Sequence, residues 1–184
     1  ASSGKKVFLD LKLHDIPNTM TKALESLVDL PVGLITLHAC AGPEALEKCA
    51  GFANKHMPNV TLLGVTVLTS TNQEGLNAIG VNHPVDDQVL RLASLAVNQG
   101  IGGIVCSPLE LPLLRKSLTA STTLVTPGIR PLNSAVGDQK RIMTPVQAKQ
   151  AGANFLVIGR PILAAVNPRD ALDSILQELD STNL

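Results

Sequence analysis

The stretch Val7–Thr19, VFLDLKLHDIPNT, begins like a buried strand yet carries Asp10, Lys12 and Asp15 within six residues. Successive strand residues point to opposite faces. Val7, Leu9, Leu11 and Leu13 therefore share one face, and Phe8, Asp10 and Lys12 the other. A charge carried inward without a partner is costly, so Asp10 and Lys12 should pair with each other or with a ligand. A structural ion pair satisfies that rule, and so does a catalytic pair. The C-terminal end of a strand is where barrel enzymes place their catalytic groups. Asp15 lies past the strand, in a loop, and reaches further out. His14 reads as a packing or loop residue, while Pro17 and Asn18 turn the chain.

A second chemistry is written near the other end. TPGIRP (126–131) and VIGRP (157–161) each follow an apolar run. Glycine lets backbone N–H groups approach an anion, and arginine adds a forked donor. Barrels often bind phosphate with the loops after their last two strands, and Gly159 and Arg160 fit that role. Between the two lies NSAVGDQKRIMTP (133–145), long and polar enough to close over a ligand. Gln139 is its best candidate for a contact, whereas Lys140 and Arg141 read as solvated charges. In VLTST (67–71), Thr69 or Ser70 could meet a polar ring, and parity does not choose between them. Thr36 and His38 share a face of the second apolar run, where His38 reads as a structural histidine.

These groups need elements to hold them. Apolar, β-rich runs occur at 7–13, 33–38, 62–69, 103–107, 123–126 and 155–159. Helical patterns alternate with them at about 18–30, 43–56, 85–99, 109–118, 145–151 and 168–179. Asn18 or Thr19 could cap the first helix, and Pro43, Pro145 and Pro168 suit first turns. Strand–helix alternation predicts an α/β fold with a parallel sheet and right-handed crossovers. No linker or repeat divides the chain, so residues 1–184 read as a single domain. Six βα units fit either an open doubly wound sheet or most of a (β/α)₈ barrel, which takes about 250 residues.

Composition narrows the partners. The 184 residues are 45% hydrophobic and 16% charged, which suits a compact globule. Lys+Arg and Asp+Glu both number 15. That balance gives no electrostatic reason to expect nucleic acid or a membrane surface. Trp and Tyr are absent, so base stacking on aromatic platforms is not expected. Three cysteines without metal-type spacing read as free thiols in a reducing cytoplasm.

FLDLKLHDIPNT resembles the Asp-x-Lys-x-x-Asp signature of the orotidine 5'-phosphate decarboxylase family. VTVLTS, GIVCS, LVTPGIRP, GDQKRIMTP and FLVIGRPI resemble its bacterial members in the same order, across essentially the whole chain. The resemblance implies a (β/α)₈ TIM barrel acting as a homodimer, with no metal and no organic cofactor. It implies conversion of orotidine 5'-monophosphate to uridine 5'-monophosphate and CO₂ in pyrimidine biosynthesis. By the same resemblance, Lys12 matches the proton donor and Asp10 the carboxylate beside the substrate's own. Asp15 matches a residue crossing into the neighbouring site, with Ile16 and Thr19 beside it. Thr69 matches the hydroxyl near the pyrimidine, and Arg130, Gln139, Gly159 and Arg160 match the phosphate side.

The chain departs from the family at its start. The family's first two βα units, with a ribose-binding Asp and a second Lys, have no counterpart here, and Lys5 and Lys6 do not match that motif. The expectation is a barrel lacking two units, weakly active alone and prone to associate. Two rival readings stand beside the decarboxylase. One is a magnesium-dependent sugar-phosphate decarboxylase or aldolase of the same broader group. The other is a nucleotide-binding fragment without catalysis.

Overall fold

The computed structural model describes residues 4–131 and 143–180. Its strands are β1 (Val7–Leu13), β2 (Val32–His38), β3 (Thr61–Val65), β4 (Gly103–Val105), β5 (Thr123–Thr126) and β6 (Phe155–Leu156). The helices are α1 (Pro17–Glu25), α2 (Pro43–His56), α3 (Gln73–Ala78), α4 (Val85–Asn98), α5 (Leu111–Ser117), α6 (Pro145–Gln150), α7 (Arg160–Leu163) and α8 (Pro168–Asp180). Every strand pair is parallel, and the sheet order follows the chain from β1 to β6. A doubly wound sheet reverses its order at a switch point, and none occurs among the described residues. The order is that of a barrel wound in one direction. Phe8 of β1 and Val157 just after β6 line the same cavity, so the sheet curls its two edges toward each other. This decides between the two architectures that the sequence left open.

Small residues let the helices approach the sheet closely. The α2 face of Ala45, Leu46, Cys49, Ala50 and Ala53 is buried, as are Val89, Ala93 and Ala96 of α4. A Cβ on Gly64 of β3 would stand 3.0 Å from the Ala96 methyl, so glycine there permits the contact with α4. Gly103 is tighter still. A Cβ on it would lie 2.6 Å from both Leu63 Cδ2 and the Thr123 carbonyl oxygen. The central wall of β3, β4 and β5 is thus shaped around absent side chains. At the edges burial fails. Val7, Leu11, Phe155 and Val157 are exposed apolar residues, although parity put Leu11 under a helix.

Several local expectations change. Ile16, not Asn18 or Thr19, occupies the cap of α1 and makes no side-chain cap bond. Pro17 takes the first turn, where its missing N–H costs nothing. The helix ends at Glu25, and tight turns carry the chain through Leu30. β3 stops at Val65, ahead of the predicted Thr69. The residues that follow form a loop into α3, which is capped by the Asn72 side chain accepting from Gly75 N–H. Thr144 and Gln147 cap α6 reciprocally.

Candidate active site

Three strands and the segments that follow β3, β4, β5 and β6 converge on a cavity of about 230 Å³ at the C-terminal ends of the strands. β1 supplies Phe8, Asp10 and Lys12, as its alternation predicted. Val65 and Val105 add apolar wall from β3 and β4, followed by Cys106, Pro127 and Val157. Thr69 and Ser70 both line the cavity, so the loop after β3 presents two hydroxyls where parity had left a choice.

The charged pair is not carried on a regular strand. Leu9 pairs with Ile35 and Leu13 with Leu37, so Asp10, Leu11 and Lys12 all stand opposite Thr36. Extra residues in one strand bend it and re-aim its side chains. Lys12 has φ +50°, the only positive φ on a non-glycine residue among those described. Its Nζ donates to Asp10 Oδ2 at 2.5 Å. The pair is reachable from the cavity, with side chains 40% and 46% exposed for Lys12 and Asp10. Thr36 is fully buried, and its hydroxyl donates to Asp10 Oδ1 at 2.8 Å. Burial pushes the Asp10 carboxyl up, but the hydrogen bonds from Lys12 and Thr36 and the Lys12 charge outweigh it. The net result lies below the ordinary carboxylate value. Next to this group, the His14 and His38 rings sit 5.3 Å apart. Burial, then the His14 and Lys12 charges, push the His38 imidazole down against the pull of Asp10.

The remaining candidates spread around this centre. Asp15, Ile16 and Thr19 lie outside the cavity, on the exposed turn into α1 and its first turn. There Asp15 Oδ1 accepts from Ile16 N–H at 2.7 Å. Gly159 caps α7, and Arg160 opens that helix on the exposed surface. Arg130, expected on the phosphate side, is buried, and its guanidinium donates to the Ile129 carbonyl at 2.8 Å. It does not line the cavity. Gln139, Lys140 and Arg141 lie outside the described residues. In the sequence Thr36 shares a face with His38 and carries no assigned role. The available signal was a lone hydroxyl inside the apolar run GLITLH.

A sequentially ordered parallel sheet with an acid–base pair at its C-terminal mouth defines a barrel-type α/β enzyme site. The family model for orotidine 5'-phosphate decarboxylase / HUMPS matches residues 1–175, and the chain belongs to this family. It is 53% identical over 181 residues to orotidine 5'-phosphate decarboxylase of Opitutus terrae, covering 98% of this chain and 79% of the relative. The Trichlorobacter lovleyi enzyme of that name is 48% identical, with coverages of 95% and 73%. The crystal structure of the Lactobacillus acidophilus enzyme superposes with TM-score 0.84 at 36% identity, covering 97% of this chain and 77% of that one. That of Pyrococcus horikoshii, 20% identical with TM-score 0.73, shares the fold.

Proposed function

We propose that the chain decarboxylates orotidine 5'-monophosphate to uridine 5'-monophosphate, the activity for which its curated relatives are named. The observation that carries this reading is the Asp10–Lys12 pair, held at the cavity mouth and still reachable. The bond from C6 to the carboxylate breaks, CO₂ leaves, and its electron pair remains at C6. An ammonium fixed beside that carbon stabilises the charge as it develops and then gives it a proton. Lys12 is the donor in this reading. Asp10 keeps it in place and sets a negative charge against the departing carboxylate. Thr69 meets the pyrimidine, and Arg160 with the Gly159 backbone takes the phosphate. Arg130 and Gln139 complete that phosphate side. Phosphate contacts far from C6 supply binding energy that serves the reacting end.

The exposed turn at Asp15, with Ile16 66% exposed, supports a homodimer in which Asp15, Ile16 and Thr19 meet the neighbouring subunit. Among the described residues no helix is long and apolar enough to cross a membrane. Free Cys40, Cys49 and Cys106 support a cytoplasmic setting. Among the described residues no further strand pairs with the outer edges of β1 and β6, which supports self-association at high concentration.

The deciding experiment follows orotidine 5'-monophosphate consumption with and without a chelator. Turnover that survives chelation is expected. Turnover only of a sugar phosphate, abolished by chelation, would replace this reading with the magnesium-dependent one. Uridine 5'-monophosphate binding without any turnover would leave a nucleotide-binding protein.

A further inference from the structure

We propose that Thr36 is a positioning residue for the Asp10–Lys12 pair, its single hydroxyl orienting the carboxylate and pinning the lysine backbone. The inference rests on the decarboxylase reading for its kinetic consequence, and on geometry alone for the positioning itself.

A buried hydroxyl is unfavourable unless it is hydrogen-bonded. Thr36 is fully buried between Ile35 and Leu37, which are also fully buried. Its oxygen is used in both directions. It donates to Asp10 Oδ1 at 2.8 Å and accepts from the Lys12 backbone N–H at 2.9 Å. Asp10 is therefore held through both carboxylate oxygens, Oδ1 by Thr36 and Oδ2 by Lys12 Nζ. Rotation of the carboxylate would break one bond or the other.

The second bond acts on the irregular backbone. The left-handed region costs an L-residue about 1–2 kcal/mol, and Lys12 occupies it. Because the register slips between Leu9 and Leu13, Thr36 faces the slipped segment by itself. Its hydroxyl takes the Lys12 N–H in place of a backbone carbonyl. Thr36 thus helps to fix the conformation that aims both Asp10 and Lys12 into the cavity. A valine of the same shape would keep the packing and lose both bonds at once.

The test compares Thr36→Val and Thr36→Ser with the wild-type chain. A small misplacement of catalytic groups costs about 100-fold in rate. Thr36→Val should lower kcat by about that factor with KM within a few-fold, and Thr36→Ser should recover most of it. Wild-type kcat in Thr36→Val, or a serine variant no better than valine, overturns the proposal. A second readout needs no turnover. In ¹³C-labelled protein, with the Asp10 signal assigned through Asp10→Asn, the Asp10 carboxyl should titrate at higher pH in Thr36→Val. It should return toward wild type in Thr36→Ser. An unmoved Asp10 titration overturns the positioning role, which packing alone would not require. Should valine prevent folding, Thr36→Ala provides the same comparison without the branched side chain. If the wild-type chain fails to consume orotidine 5'-monophosphate, the functional reading falls, and the Asp10 titration still decides the role of Thr36.

Discussion

At the β1–β2 corner, two charged side chains and one buried hydroxyl hold each other in place. The β5–β6 end is built differently. Arg130 turns its guanidinium onto the neighbouring Ile129 carbonyl, and Arg160 stands exposed at the head of the four-residue helix α7. Groups that must meet a developing charge gain from being fixed in advance, because no reorganisation is then needed during reaction. Groups that hold a phosphate can take their final geometry from the ligand itself. On the proposed function, the contrast separates a reacting end from a phosphate-binding end, and each can be broken alone.

The largest effect should come from the reacting end. Lys12→Ala removes both the proton and the positive charge, and kcat should fall by about 10³-fold or more. Binding of inorganic phosphate or uridine 5'-monophosphate, measured by calorimetry, should stay close to wild type. Normal turnover in this variant would remove Lys12 from the mechanism. Arg160→Ala should give the opposite pattern. A charge-assisted hydrogen bond contributes about 1.5–3 kcal/mol, so KM should rise about 10- to 150-fold. The kcat of Arg160→Ala should remain within a few-fold. A fall in kcat with unchanged KM would mean that the two ends are not separable.

The same contrast marks what could be read from the sequence. β1 and β5 keep their predicted limits, and α2 does too, because period-two and helical patterns with proline starts were clear there. The positions of Asp10 and Lys12 on the cavity followed from strand parity and from the rule for barrel strand ends, whereas Thr69 and Ser70, which parity left undecided, reach it from the loop past β3. Thr36 could not be assigned, since its role depends on a register slip that no residue pattern announces. The burial of Arg130 was equally hidden, because TPGIRP reads as an anion-binding loop and the Ile129–Met143 bridge joins residues distant in sequence. Short helices such as α3 and α7 carry too little periodicity to be distinguished from turns.

A substitution in the shared wall should lower stability without favouring either end. Gly103 of β4 leaves no room for a methyl group, with Leu63 and Thr123 already within 3 Å of where it would stand. Overpacking of this kind costs about 1–3 kcal/mol. Gly103→Ala should lower the urea midpoint accordingly, while the folded fraction keeps its kcat and KM. Unchanged stability would mean that β3 and β5 can separate at little cost, and the wall would be softer than its packing suggests.

The smallest effect concerns the reacting corner in acid. Asp10 titrates below its ordinary value of 3.8 in the folded chain, so folding favours its ionised form. The stability this contributes is fully present above that ordinary value. It is lost as pH falls through the lower folded value. The pair is half exposed and screened by solvent, which limits the contribution to about 0.2–1 kcal/mol. Wild type should therefore be slightly more stable than Asp10→Asn near neutrality, with the difference closing as pH drops below about 4. Urea unfolding at stepped pH measures it. A gap that persists unchanged into strong acid would trace to packing, and the charged corner would owe its order to the Thr36 hydroxyl more than to the ion pair.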